Sequence, residues 1–127
     1  MRRADDGAAI VDVVLVSVLV LGLFLLVLQV GLVLHTRNVL VACAAEGARY
    51  GADADRTAAD GAERARQAVS QALSNGVARR LRFTSTTVQL DGAAVVEVTV
   101  SGPLPVVFLP AGPLSLTVRG HALQEGP

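Results

Sequence analysis

Few residues in this chain of 127 could do chemistry, and their spacing decides which chemistry that is. The two histidines, His35 and His121, are isolated from one another, Cys43 is the single cysteine, and no glycine-rich phosphate loop occurs. Nucleophilic, metal and nucleotide chemistry therefore lack their residues. The expectation is a protein that is not an enzyme, with no cofactor and no small-molecule substrate. Asp53, Asp55 and Asp60 form an acidic cluster. A calcium loop counted from Asp53 would need Gly at its sixth position and Glu at its twelfth, where this chain has Ala58 and Arg64. These acids read instead as a solvated turn that begins a helix.

What remains is charge placed against apolar sequence. Residues 13–34 hold no charged side chain, and about 22 residues of helix are enough to cross a hydrocarbon layer. Asp12 stands at the entrance of that run, five positions after Gly7. A carboxylate near the end of an apolar helix is tolerated by the helix dipole or by pairing with a cation. The run exceeds the 7–15 apolar residues of a secretory signal, so a retained single-pass anchor is expected. Arg2 and Arg3 precede it and Arg37 follows. The bias places the N-terminus in the cytoplasm and the remainder outside, by a margin of one or two charges. Leu40-Val41-Ala42-Cys43 has the pattern of a lipoprotein cleavage site, but His35, Arg37 and Asn38 separate it from the apolar run. Cys43 therefore reads as a small buried helix residue.

The totals agree with one anchor and one small outer domain. The 11 basic and 11 acidic residues balance, which argues against a nucleic-acid surface. The apolar excess is Val, Leu and Ala with few aromatics, as a membrane segment supplies.

After the anchor, Val39, Leu40, Cys43, Gly47 and Tyr50 recur at helical spacing, so the helix is expected to continue as a stalk. Glu46 and Arg49, three apart, are placed to pair on its outer side. From Arg56 to about Arg80, Ala58, Ala62, Ala65, Val69, Ala72 and Leu73 line one face of an amphipathic helix that Asn75-Gly76 ends or kinks. Arg79, Arg80 and Arg82 form a basic cluster, read as a solvated helix end in preference to a contact with acidic lipid or a partner. The period then changes to two. Thr86, Val88 and Leu90, then Val96, Val98 and Val100, flank the turn Asp91-Gly92 and predict a hairpin with one buried face. Leu114, Leu116 and Val118 predict a third strand, since two strands alone are marginal. Between them the proline-rich residues 102–113 carry Val106, Val107, Phe108 and Leu109. They read first as a loop folded over the sheet end and second as a patch offered to a partner subunit or the membrane surface.

The expected fold class is α+β: a long N-terminal transmembrane and stalk helix, then an amphipathic helix packed on an antiparallel sheet of about three strands. Residues 52–127 are expected to form the outer domain, and the resemblance described next implies a cytoplasmic leader at 1–7 with the anchor and stalk at 8–51.

Two stretches carry a family resemblance. Gly7-Ala8-Ala9-Ile10-Val11-Asp12-Val13 is similar to the processing site of type IV pilin-like precursors. There a prepilin peptidase cuts after the glycine and an acid stands fifth in the mature chain. Ala44-Ala45-Glu46-Gly47-Ala48-Arg49-Tyr50 resembles the block after the membrane helix in TadE-like proteins, the minor pseudopilins of tight-adherence (Flp, type IVb) pilus systems. That family usually has Glu and an aromatic where this chain has Asp12 and Val13. The resemblance covers about a third of the chain and implies a pilin-like fold. It also implies cleavage between Gly7 and Ala8, an assembly role for Asp12, and a post-membrane block of Ala45, Glu46, Gly47, Ala48, Arg49 and Tyr50. Its implied partners are the membrane, other pilin or pseudopilin subunits, pilus assembly proteins and the peptidase, in the cell membrane or a surface pilus. The alternative is an uncleaved single-pass envelope protein whose outer domain binds another protein, in which case Val106, Val107, Phe108 and Leu109 matter more than Asp12.

Overall fold

The computed structural model describes residues 2–103 and 115–125. Six elements follow in order: α1 (Arg2–Ala52), α2 (Ala58–Ala72), α3 (Asn75–Arg80), β1 (Arg82–Leu90), β2 (Ala93–Pro103) and β3 (Ser115–Leu123). The class is α+β, with a long N-terminal apolar helix and one antiparallel sheet ordered β1-β2-β3. The segment holding Leu114, Val106, Val107, Phe108 and Leu109 lies outside the described residues.

α1 runs unbroken for 51 residues, about 75 Å. No proline interrupts it, and its apolar part is rich in Leu and Val. Ser17 does not break it, because its hydroxyl donates to the Val13 carbonyl at 2.7 Å, one turn back. Large apolar side chains from Ile10 to Leu28 stand exposed around the helix, as lipid or neighbouring helices require. From Gln29 onward the chain's own fold covers one side. Gln29 and Thr36 are 4 % and 5 % exposed, and Leu40, Cys43, Ala44, Ala48 and Ala52 are buried.

That covered side is the axis of the globular part. Ala44 and Ala48 sit in one core with Ala65 and Val69 of α2 and with Val96, Val98, Val100 and Val118 of the sheet. Glycines permit the approach. A Cβ on Gly47 would stand 2.5 Å from the Gly61 carbonyl oxygen and 2.7 Å from the Ala65 Cβ, while a Cβ on Gly120 would overlap the backbone of Ala44 and Ala45. α1 is thus held between α2 on one side and β3 on the other.

α2 starts where the acids predicted. Thr57 is its N-cap, and a capping box closes with Asp60: the Thr57 N–H donates to Asp60 Oδ2 at 2.8 Å, and the Asp60 N–H donates to Thr57 Oγ1 at 3.2 Å. The helical stretch expected from Arg56 to about Arg80, with a break at Asn75-Gly76, is two helices, and the break falls just before that pair. α2 ends at Ala72, and Ser74 caps a new six-residue helix by accepting from the Val77 N–H at 3.1 Å. Asn75-Gly76 therefore opens α3, where it was expected to end or kink the preceding helix. The local serine cap outweighs the turn preference of Asn-Gly. Ala72 is exposed, and Gly61 and Ala68 take inward positions with Ala65 and Val69.

The hairpin turn at Asp91-Gly92 is as predicted, with φ of 51° and 83°. The faces are not. Leu90 pairs with Ala93, Val88 with Val95 and Phe83 with Val100. A two-residue turn pairs an even position with an odd one at every rung. Val96, Val98 and Val100 therefore share their face with Phe83, Ser85 and Thr87. Thr86, Val88 and Leu90 lie on the opposite face, where Leu90 is 53 % exposed. The turn sets the register and overrides the alternation.

Candidate functional site

Gly7, Ala8 and Asp12 all lie in the N-terminal turns of α1, exposed and remote from the globular part. Nothing comes within 4 Å of a Cβ placed on Gly7. The Gly7–Ala8 peptide bond is helical, so a protease must first unwind it. Gly7 lowers the cost of doing so, because glycine is about 1 kcal/mol poorer than alanine in a helix. Ala8 and Asp12 are four residues apart, on one helix face. A new ammonium on Ala8 would stand one turn from the Asp12 carboxylate of the same chain, within reach of a neighbouring copy's as well. Further along, Gly31 leaves an apolar notch of about 440 Å³ on α1, lined by Phe24, Val27, Leu28, Leu32 and His35.

The second predicted group lies where α1 meets α2. Ala48 is fully buried, Ala45 half-buried, and Gly47 supplies the close crossing with Gly61 and Ala65. Glu46 does not pair with Arg49. Its Oε1 accepts from Arg64 Nε at 3.1 Å and from Arg64 Nη2 at 2.7 Å, a contact between helices. Arg49 is exposed in the last turn of α1, where a cation suits the helix dipole. The guanidinium groups of Arg56 and Arg64 lie 4.6 and 5.9 Å from the Tyr50 ring centre, on a ring that is half-buried. This block fastens α1 to α2 and the globular part.

Cys43 is buried in the same core. Burial first, and the Glu46 charge second, push its thiol above the ordinary cysteine range. It is a poor nucleophile held inside a helix. Asp60 is moved the other way: the Thr57 backbone and hydroxyl donors hold its carboxyl below the usual range.

Sequence reasoning missed two contacts. One is Glu46 with Arg64, which the helix packing creates. The other is His121 Nε2 with Glu97 Oε2 at 2.7 Å, on directly opposed rungs of β3 and β2. Only a correct strand register would have revealed the second. Among the described residues no cluster of three His, Cys, Asp or Glu is placed to hold a metal ion.

The family model of TadE-like proteins matches residues 7–49, from the glycine before the apolar run to the arginine of the block at the α1–α2 crossing. No curated protein and no protein of known structure matches the chain. The match and the membrane-length helix together support a membrane-anchored protein associated with tight-adherence pili.

Proposed function

We propose that this chain, TadE-like over residues 7–49, is a pseudopilin that takes part in assembly of a Flp/type IVb pilus and has no catalytic role of its own. A prepilin peptidase cleaves it between Gly7 and Ala8. The mature helix stays in the membrane with the globular part outside the cytoplasm, and joins other pilin or pseudopilin subunits through the exposed face of α1. The observation that carries this reading is the order of parts on one unbroken helix: an accessible glycine, an acid five positions on, a long all-round exposed apolar segment, then the glycine-packed block.

The chemistry follows from the cost of charge in lipid. Cleavage releases an ammonium on Ala8 beside the membrane, and Asp12 is the one carboxylate within the following turn. Each charge alone is expensive there, and a pair is tolerated. Subunit docking that brings an Asp12 to an Ala8 ammonium lowers the cost for both. Replacement of Asp12 by Ala should leave insertion and cleavage intact while abolishing co-purification with pilus partners. Retention of those partners at wild-type levels would exclude Asp12 as the assembly group.

A further inference from the structure

We propose that the end of the outer domain nearest the membrane is a docking surface for anionic lipid headgroups, formed by Arg37, Arg80 and Arg82. The inference rests on the reading that α1 spans a membrane, and does not depend on which side the domain occupies.

The strand direction fixes which end is which. Gly120 of β3 lies against Ala44 and Ala45, and five residues later the Glu125 N–H donates to the Ala52 carbonyl at 3.0 Å. β3 therefore climbs away from the apolar segment, in the same direction as α1. Ser115, the first residue of β3, is about 16 Å back along the strand from Gly120. That is the rise of about 11 helical residues, and the tilt between strand and helix shortens it somewhat. The start of β3 is thus level with roughly residues 33–37 of α1, where the charge-free run ends. β1 runs the same way, so its first residue Arg82, paired with Ser101, is at this low end. So is Arg80, whose carbonyl oxygen lies 3.0 Å from a Cβ placed on Gly102, the residue paired with Leu116. Arg37 is at the same height on α1.

The balance of charge changes along this axis. Arg37, Arg80 and Arg82 are exposed, and none has an ion-pair partner among the described residues. The nearest acids up the axis, Glu46, Glu63 and Glu97, are each paired with Arg64, Arg66 or His121. Asp53, Asp55, Asp60, Asp91 and Glu125 gather at the far end, around the α1–α2 turn and the hairpin tip, where they outnumber Arg49 and Arg56. A domain with an unpaired basic base and an acidic top is oriented by an anionic surface, base down. Asp12 and Arg37 are about 38 Å apart along α1, so both can occupy headgroup layers on opposite sides of a hydrocarbon core of about 30 Å. Docking would then set the depth and tilt at which α1 holds Asp12.

The test uses the full chain in vesicles of phosphatidylcholine, alone or with about one third phosphatidylglycerol. A fluorophore is placed on Thr117→Cys at the base or Leu123→Cys at the top, each with Cys43→Ala, and quenched by a headgroup spin-labelled lipid. Quenching at position 117 should rise in the anionic vesicles and that at 123 should not. Each arginine changed to Gln should lower the docked-to-undocked ratio roughly fivefold, with loss in high salt. The triple Lys variant should retain docking, which separates charge from misfolding. Equal quenching at 117 in both vesicles, unaltered by the triple Gln variant, would overturn the proposal and assign the arginines to a protein partner. Failure of the chain to float with neutral vesicles after an alkaline wash would instead remove the membrane anchor on which it rests.

Discussion

Gly47→Ala tests the packing that joins α1 to α2 and the globular part. In an open helix this change stabilises by about 1 kcal/mol. Here the new methyl would stand 2.5 Å from the Gly61 carbonyl oxygen and 2.7 Å from the Ala65 Cβ, roughly 1 Å inside ordinary contact. Neither neighbour can swing aside, since one is backbone and the other a Cβ in the core. The helices must separate, at an overpacking cost of about 2–3 kcal/mol, leaving a net loss of about 1–2 kcal/mol. The assay is alkylation of Cys43 in detergent at increasing urea. Cys43 is the sole cysteine, buried beside the crossing, with a thiol made less reactive by burial. With a slope near 1 kcal/mol per molar urea for a small domain, the midpoint of exposure should fall by about 1–2 M. Gly76→Ala is the control, because its Cβ would meet only Ser74 Oγ at an ordinary 3.8 Å, and its midpoint should hold or rise. A Gly47→Ala midpoint at or above wild type would refute the close crossing.

Three further outcomes follow from side-chain contacts. A double-mutant cycle of Glu46→Gln and Arg64→Gln should give a coupling of only about 0.5 kcal/mol, weakened by salt, because the side chains are 49 % and 38 % exposed. Thr57→Ala should cost about 1 kcal/mol in the same unfolding assay, through loss of the α2 cap. The Asp60 carboxyl is lowered from 3.8 in the fold, so its contribution is complete above that pH and is lost as pH falls through the lowered value. The stability gap between wild type and Asp60→Asn should therefore be constant from pH 5 to 7 and close only below about 3.8.

Local signals in the sequence carried over to the structure, and relations between distant segments did not. The apolar run, the Asp91-Gly92 turn and the start of α2 each depend on neighbours within a few residues. The strand faces failed because alternation is local while register is fixed at the turn, and the parity of that turn moves Val88 and Leu90 to the opposite face from Val98. Ser74 carried a cap signal that the adjacent Asn-Gly obscured. Helical spacing favours Arg49 as the partner of Glu46, yet the crossing at Gly47 and Gly61 brings Arg64 closer. At the candidate site, Gly7, Ala8 and Asp12 were legible because that site is a linear pattern on one helix. The α1–α2 block was legible as a motif, and its role as the joint between helix and domain became visible only in the packing.

Maturation at Gly7 is measured most directly by intact mass. The full chain expressed with a prepilin peptidase should lose Met1 to Gly7, leaving Ala8 as its first residue. Without the peptidase, or with Gly7→Ala, the mass should remain that of the unprocessed chain. An unshortened chain recovered from membranes that hold an active peptidase would contradict the account.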